Sequence, residues 1–68
     1  MYYRIMLTCD GEFQGFLMRS DSEWRIAHNT GAAHMFGTEY DARQQGENVI
    51  ASYKESEPNN LYRYHLVH

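Results

Sequence analysis

The stretch from Thr38 to Tyr53 constrains the fold most. Thr38 suits an N-cap, its hydroxyl accepting from the free amides of a first turn. Asp41, three residues on, resembles the acidic half of a capping box, a place more often held by Glu or Gln. Glu39 and Asp41 both favour the positive end of a helix dipole. Ala42, Gly46, Val49, Ile50 and Tyr53 then recur at helical spacing on one face, while Arg43, Gln44, Glu47 and Lys54 fall on the other. The spacing predicts one amphipathic helix from about Glu39 to Lys54, with a small-residue middle that permits close approach. Gly46 weakens that helix by about 1 kcal/mol relative to Ala.

The segments around it read as strands. Tyr2 to Cys9 has the β-branched and aromatic content of a pleated surface, and Phe13 to Arg19 reads as its return strand. Between them Asp10-Gly11 is a strong two-residue hairpin signal, because a type I′ turn needs positive φ at both central residues. A regular ladder from that turn sets Cys9 opposite Glu12, Thr8 opposite Phe13, Met6 opposite Gly15, Ile5 opposite Phe16, Arg4 opposite Leu17 and Tyr3 opposite Met18. One face then carries Tyr3, Ile5, Leu7, Phe16 and Met18, which the helix is expected to cover. The other carries Tyr2, Met6, Phe13 and Leu17 with Arg4 and Thr8, and is too apolar for a solvated face. Ser20 to Glu23 is a polar turn. Trp24 to His28 suits either a short strand or a covering loop, and Asn29-Thr30-Gly31 signals a turn. Leu61 to Val67 reads as a closing strand, with Tyr62, Tyr64 and Leu66 on one face and Arg63 and His65 on the other. The expected class is α+β: a three- to four-stranded, mainly antiparallel sheet packed on one α-helix, in the order β-β-(β)-α-β.

At 68 residues the chain is one domain, residues 1–68, with room for one thin core and no deep cleft. Its formal net charge of -3 argues against general phosphate binding, which needs a basic patch. A single cysteine, Cys9, excludes an internal disulfide and points to a reducing, cytoplasmic setting. No signal peptide or long apolar run suggests secretion or membrane insertion. Six tyrosines are many for so small a core, so some are expected at the surface, where Tyr favours interfaces.

No catalytic or ligand motif stands out. His28, His34, His65 and His68 lack the paired short spacing of a structural zinc site, and no metal or other cofactor is expected. Cys9 lies beside Asp10 and Glu12, whose carboxylates raise a thiol pKa, so it reads as an unreactive thiol. Glu39 and Asp41 are better explained by the helix dipole than as an acid–base pair. Tyr62 and Tyr64 alternate as in aromatic platforms for single-stranded nucleic acid, but only Arg4, Arg19 and Arg63 are near them.

Trp24 followed by Ala33-His34-Met35-Phe36-Gly37-Thr38-Glu39-Tyr40-Asp41-Ala42 gives the pattern Trp, spacer, Ala-x-x-Phe-x-Thr-x-x-x-Ala, then a helix and a last strand. The pattern resembles small phage and mobile-element proteins, among them anti-CRISPR proteins and other phage-encoded inhibitors of host enzymes. It covers about half the chain and carries no functional residue with it. The resemblance implies a non-enzymatic module that blocks a host protein or ribonucleoprotein complex by occupying its surface. The expected partner-binding residues are Tyr2, Arg4, Met6, Phe13, Leu17, Arg19 and Arg63, on the sheet face away from the helix. Against that stands the reading in which Trp24 and Ala32 to Phe36 fold back over Met6, Phe13 and Leu17. A single-stranded nucleic-acid-binding domain and a homodimeric structural protein are the competing classes.

Overall fold

A computed structural model describes all residues, 1–68. The strands are β1 (Arg4–Cys9), β2 (Glu12–Ser20), β3 (Glu23–Ala27) and β4 (Tyr62–Val67), with the helix α1 (Glu39–Ser56) between β3 and β4. They form one four-stranded sheet in the order β3-β2-β1-β4, antiparallel throughout. The helix packs on one face, mainly over β4. This is the expected α+β plan, and the stretch read as Trp24 to His28 is a strand, β3, over Glu23–Ala27.

Both hairpins turn through two residues with positive φ: Asp10 (51°) and Gly11 (83°) join β1 to β2, and Asp21 (50°) and Ser22 (65°) join β2 to β3. Primed turns of this kind match the right-handed twist of the strands they connect. Asp10 also ties the sheet together. Its amide donates to the Leu61 carbonyl (2.8 Å), and its Oδ1 accepts from the Leu61 amide (3.1 Å), fixing where β4 begins.

The β1–β2 ladder is not regular. Cys9 faces Glu12 and Thr8 faces Phe13, as the turn dictates, but Leu7 faces Gly15 and Met6 faces Phe16. One extra residue has entered β2, forming a bulge. Gly15 permits it: its φ is 147°, and a Cβ there would lie 2.5 Å from both the Ala27 carbonyl oxygen and Ile26 Cγ2. Because side chains alternate, a one-residue slip moves every later side chain of β2 to the opposite face. Leu17 therefore belongs to the helix side and is buried, with 2% of its surface exposed. Phe16 and Met18, expected under the helix, lie on the other side.

The core contains Ile5, Leu7, Leu17, Phe36 and Ala42. Thr38 caps α1 as expected, with Oγ1 accepting from the Asp41 amide at 3.1 Å. The helix runs two residues beyond Lys54 and stops before Pro58, the Glu57 amide closing on the Tyr53 carbonyl at 2.7 Å. Ala42 and Gly46 are its buried residues, and Val49, Ile50 and Tyr53 are half-buried. At Gly46 the helix meets the Tyr64 ring so closely that a Cβ would lie 2.6 Å from it. Tyr53 and Tyr62 stack at 4.0 Å between ring centroids.

The segment before the helix completes the sheet end. The Phe36 and Tyr3 backbones exchange hydrogen bonds of 2.8 and 2.9 Å, and the His34 amide donates to the Leu17 carbonyl at 3.0 Å. On the helix side Trp24 stacks on Phe36 at 5.9 Å, and His34 meets both rings edge-on. Neither Trp24 nor Phe36 reaches over Phe13, so the closed-core alternative fails at those two rings.

Candidate functional site

The face of the sheet away from α1 has no other strand packed over it, and the short 3-10 helix Thr30–Ala32 contacts β2. Alternation from the observed registers lays the face out in rows. Ala27, Phe16, Met6 and His65 cross its middle; Phe13, Thr8 and Arg63 lie toward the first hairpin turn. Toward the other end stand Arg25 beside Met18, and Arg4 beside Val67. Met35 joins this end, its Sδ 3.6 Å from Arg4 Nη2.

The face sets an apolar middle among polar side chains and is only partly self-sheltered. Phe16 and Ala27 are buried within it, while Met6 and Met18 are half-buried. Phe13 packs edge-on against Phe16 at 5.5 Å yet is 52% exposed; Tyr2 and Met35 are 58% and 50% exposed. Exposed apolar side chains thus stand at both ends of the face, Phe13 toward the first hairpin turn and Met35 beside Arg4.

Four of the residues expected to bind a partner are placed on this face by the register, Arg4, Met6, Phe13 and Arg63, and Tyr2 stands exposed just before β1. Two are not. Leu17 sits in the core because of the Gly15 bulge. Arg19 follows it to the helix side, with its guanidinium 4.8 Å from the Trp24 ring centroid. Phe16, Met18, Arg25, Met35 and His65 take part in the face and were missed. A glycine inside a strand pattern was the available signal for the first two, since it marks a bulge or a close backbone approach.

The tyrosine platform is corrected as well. Tyr62 and Tyr64 face the helix, Tyr62 stacked on Tyr53 and Tyr64 against Gly46, with its hydroxyl 2.9 Å from Glu47 Oε1. Desolvation on that side, helped by hydrogen bonds with Cys9 and Glu57, pushes the Tyr62 phenol up to about 12. Desolvation raises the Cys9 thiol most; the hydrogen bond with Tyr62 opposes it, and Asp10 and Glu57 add smaller raising contributions. A raised pKa favours the neutral thiol over the thiolate. The histidines are dispersed: His34 in the Trp24 cluster, His65 beside Thr8 (3.3 Å), His68 against Tyr3 and His28 exposed in a loop.

A second concavity lies on the helix side. Because α1 stands over β4, it leaves a cleft of about 220 Å³ toward β3, with Leu17, Trp24, Ile26, Val49 and Tyr53 as its apolar lining. No helix is long and apolar enough to cross a membrane. No family model, curated protein or solved structure matches the chain.

Proposed function

We propose that this chain is a non-enzymatic protein-binding module that acts by occupying a partner's surface with the open face of its sheet. The observation that carries this reading is the exposure of Phe13, Tyr2 and Met35 beside half-buried Met6 and Met18, on a face that α1 does not cover. Aromatic side chains, Met and Arg are the residue types enriched at protein interfaces, and this face is made of them. Its thioethers adapt to an irregular partner surface without a fixed shape of their own. The resemblance of the Trp24 and Ala33–Ala42 pattern to phage-encoded inhibitors supports a blocking role, with a host effector complex as the target.

Affinity capture from a bacterial host lysate tests it. Wild type and Phe13→Ala are immobilised side by side, with Arg19→Ala as a helix-side control. A host protein or complex retained by wild type and by the Arg19 variant, but released by Phe13→Ala, supports the open face as the docking surface. Equal retention by all three variants places the docking surface elsewhere.

A further inference from the structure

We infer that the open face takes a protein surface with an apolar centre flanked by carboxylates. This rests on the docking role proposed above and adds the partner's chemistry. Three arginines stand around the Met6–Phe16 centre: Arg25 on one edge strand, Arg63 on the other and Arg4 on β1. Arg4 and Arg63 lie toward opposite ends of the face, because Arg63 is paired with Thr8, four residues along β1 from Arg4. At strand rise that is about 13 Å. The face carries one carboxylate, Glu23, and it is held by Arg25 at 2.7 Å.

Arg4 and Arg63 have no carboxylate within ion-pair distance, the only two salt bridges being Arg25–Glu23 and Arg43–Glu39. The Arg4 guanidinium meets only the Met35 thioether, and its Nε is buried without a hydrogen-bond partner. Two unpaired guanidinium groups thus flank an apolar centre in a chain whose net charge is -3. Guanidinium forks match carboxylates in geometry and charge, and complementary rims steer encounter and set orientation.

Two other occupants fit less well. A nucleic-acid strand needs a continuous run of cations, and it meets repulsion from a chain with nine acidic and six basic residues. A second copy stacked face to face sets arginines against arginines, with Glu23 already engaged. An acidic protein surface supplies what the face lacks.

A selection from a phage-displayed library of random peptides tests this, with wild type as bait. Wild type should enrich peptides in which Asp or Glu flanks Leu, Phe or Trp. The enriched pool should bind R4E/R63E at least about ten-fold more weakly, with R4Q/R63Q between, and should lose affinity as salt is raised. Melting curves matching wild type show that both double variants are folded. A pool without acidic excess that Phe13→Ala still weakens overturns the acidic partner and leaves the docking face standing. A pool indifferent to both Phe13→Ala and R4E/R63E overturns both readings, as does the absence of any enrichment. Tighter binding of an oligo-dT strand than of the selected peptides, abolished by R4E/R63E, assigns the face to nucleic acid instead. Light scattering that shows a dimer dissolved by Phe13→Ala assigns it to a second copy.

Discussion

The two faces of the sheet are built from the same four strands and are closed in different ways. On one, α1 and the Trp24–His34–Phe36 cluster lie over Ile5, Leu7 and Leu17 and take them out of water. On the other, Phe16 is buried with Phe13 edge-on against it, while Phe13, Tyr2 and Met35 remain half-exposed. The covered face is apolar along β1, whereas the open face sets Met6, Phe13, Phe16 and Met18 among Arg4, Thr8 and Ser20. One 18-residue helix lies over the more apolar of the two. That comparison can be broken by substitutions that should fall very differently on the two sides.

The largest effect should come from Leu17. Leu17→Ala removes a side chain 2% exposed, and such core truncations cost about 2–5 kcal/mol. In a domain of this size that is a large share of the total stability. Met18→Ala, one residue along on the open side, should cost far less. Denaturant titration of the pair checks it. Equal losses mean that the two faces are not distinct in packing.

Gly15 is the residue that decides which face each β2 side chain joins. Gly15→Ala asks an L side chain to hold a φ of 147° with its Cβ 2.5 Å from the Ala27 backbone oxygen. A strained backbone position of this kind costs on the order of 1–3 kcal/mol, and the backbone contact adds to it. The variant should melt well below wild type. An unchanged melting temperature shows that the bulge is not needed, and the faces of Leu17 and Phe16 are then interchangeable.

The same residue explains what could be read in the sequence and what could not. Asp10-Gly11 announced its turn because positive φ at two successive positions has few solutions. Thr38 announced the helix start because a cap hydroxyl acts on the nearest amides. Both are local, and both were legible. The register beyond the bulge depends on contact between Gly15 and Ala27 of a different strand, and a ladder counted from the turn has no term for it. So Leu17 and Arg19 were put on the wrong face, and Phe16 and Met18 with them. Tyr62 and Tyr64 were correctly grouped on one side of β4. Whether that side faced helix or solvent was set by Gly46, whose missing Cβ lets the Tyr64 ring lie against α1. Met35 reached the open face through backbone pairing of Phe36 with Tyr3, a contact across 33 residues that leaves no local mark.

Gly46→Ala sharpens the comparison on the covered side, because two effects oppose each other there. Replacing a mid-helix glycine gains about 1 kcal/mol of helix propensity. The new Cβ meets three ring atoms of Tyr64 within 2.8 Å, and the ring is held at its far end by Glu47. Overpacking of that kind costs about 1–3 kcal/mol, so the clash should win and the variant should be less stable. In a Tyr64→Ala background the clash is gone, and the same Gly46→Ala change should stabilise. A double-mutant cycle reads the change of sign. If Gly46→Ala stabilises in both backgrounds, the helix sits farther from β4 than the Tyr64 contact implies.

The smallest effect on stability should come from Phe13, and it is the most informative about function. Its ring is 52% exposed and touches Phe16 edge-on at 5.5 Å, with no side chain of the helix near it. Truncation loses one aromatic edge contact and part of a side chain's burial. An aromatic pair is worth about 0.5–1.5 kcal/mol beyond its buried area, so Phe13→Ala should cost about 1 kcal/mol, well below Leu17→Ala. The order reverses for binding. An exposed aromatic that anchors an interface can lose about 2 kcal/mol or more of affinity on truncation. Phe13→Ala should therefore melt close to wild type while weakening capture of the partner. Isothermal titration of the captured partner, set beside the melting curves, measures both quantities on the same samples. A variant that loses stability as heavily as Leu17→Ala shows Phe13 to be a core residue of a second, closed layer. The open face then has no spare side chain at that position to give to a partner.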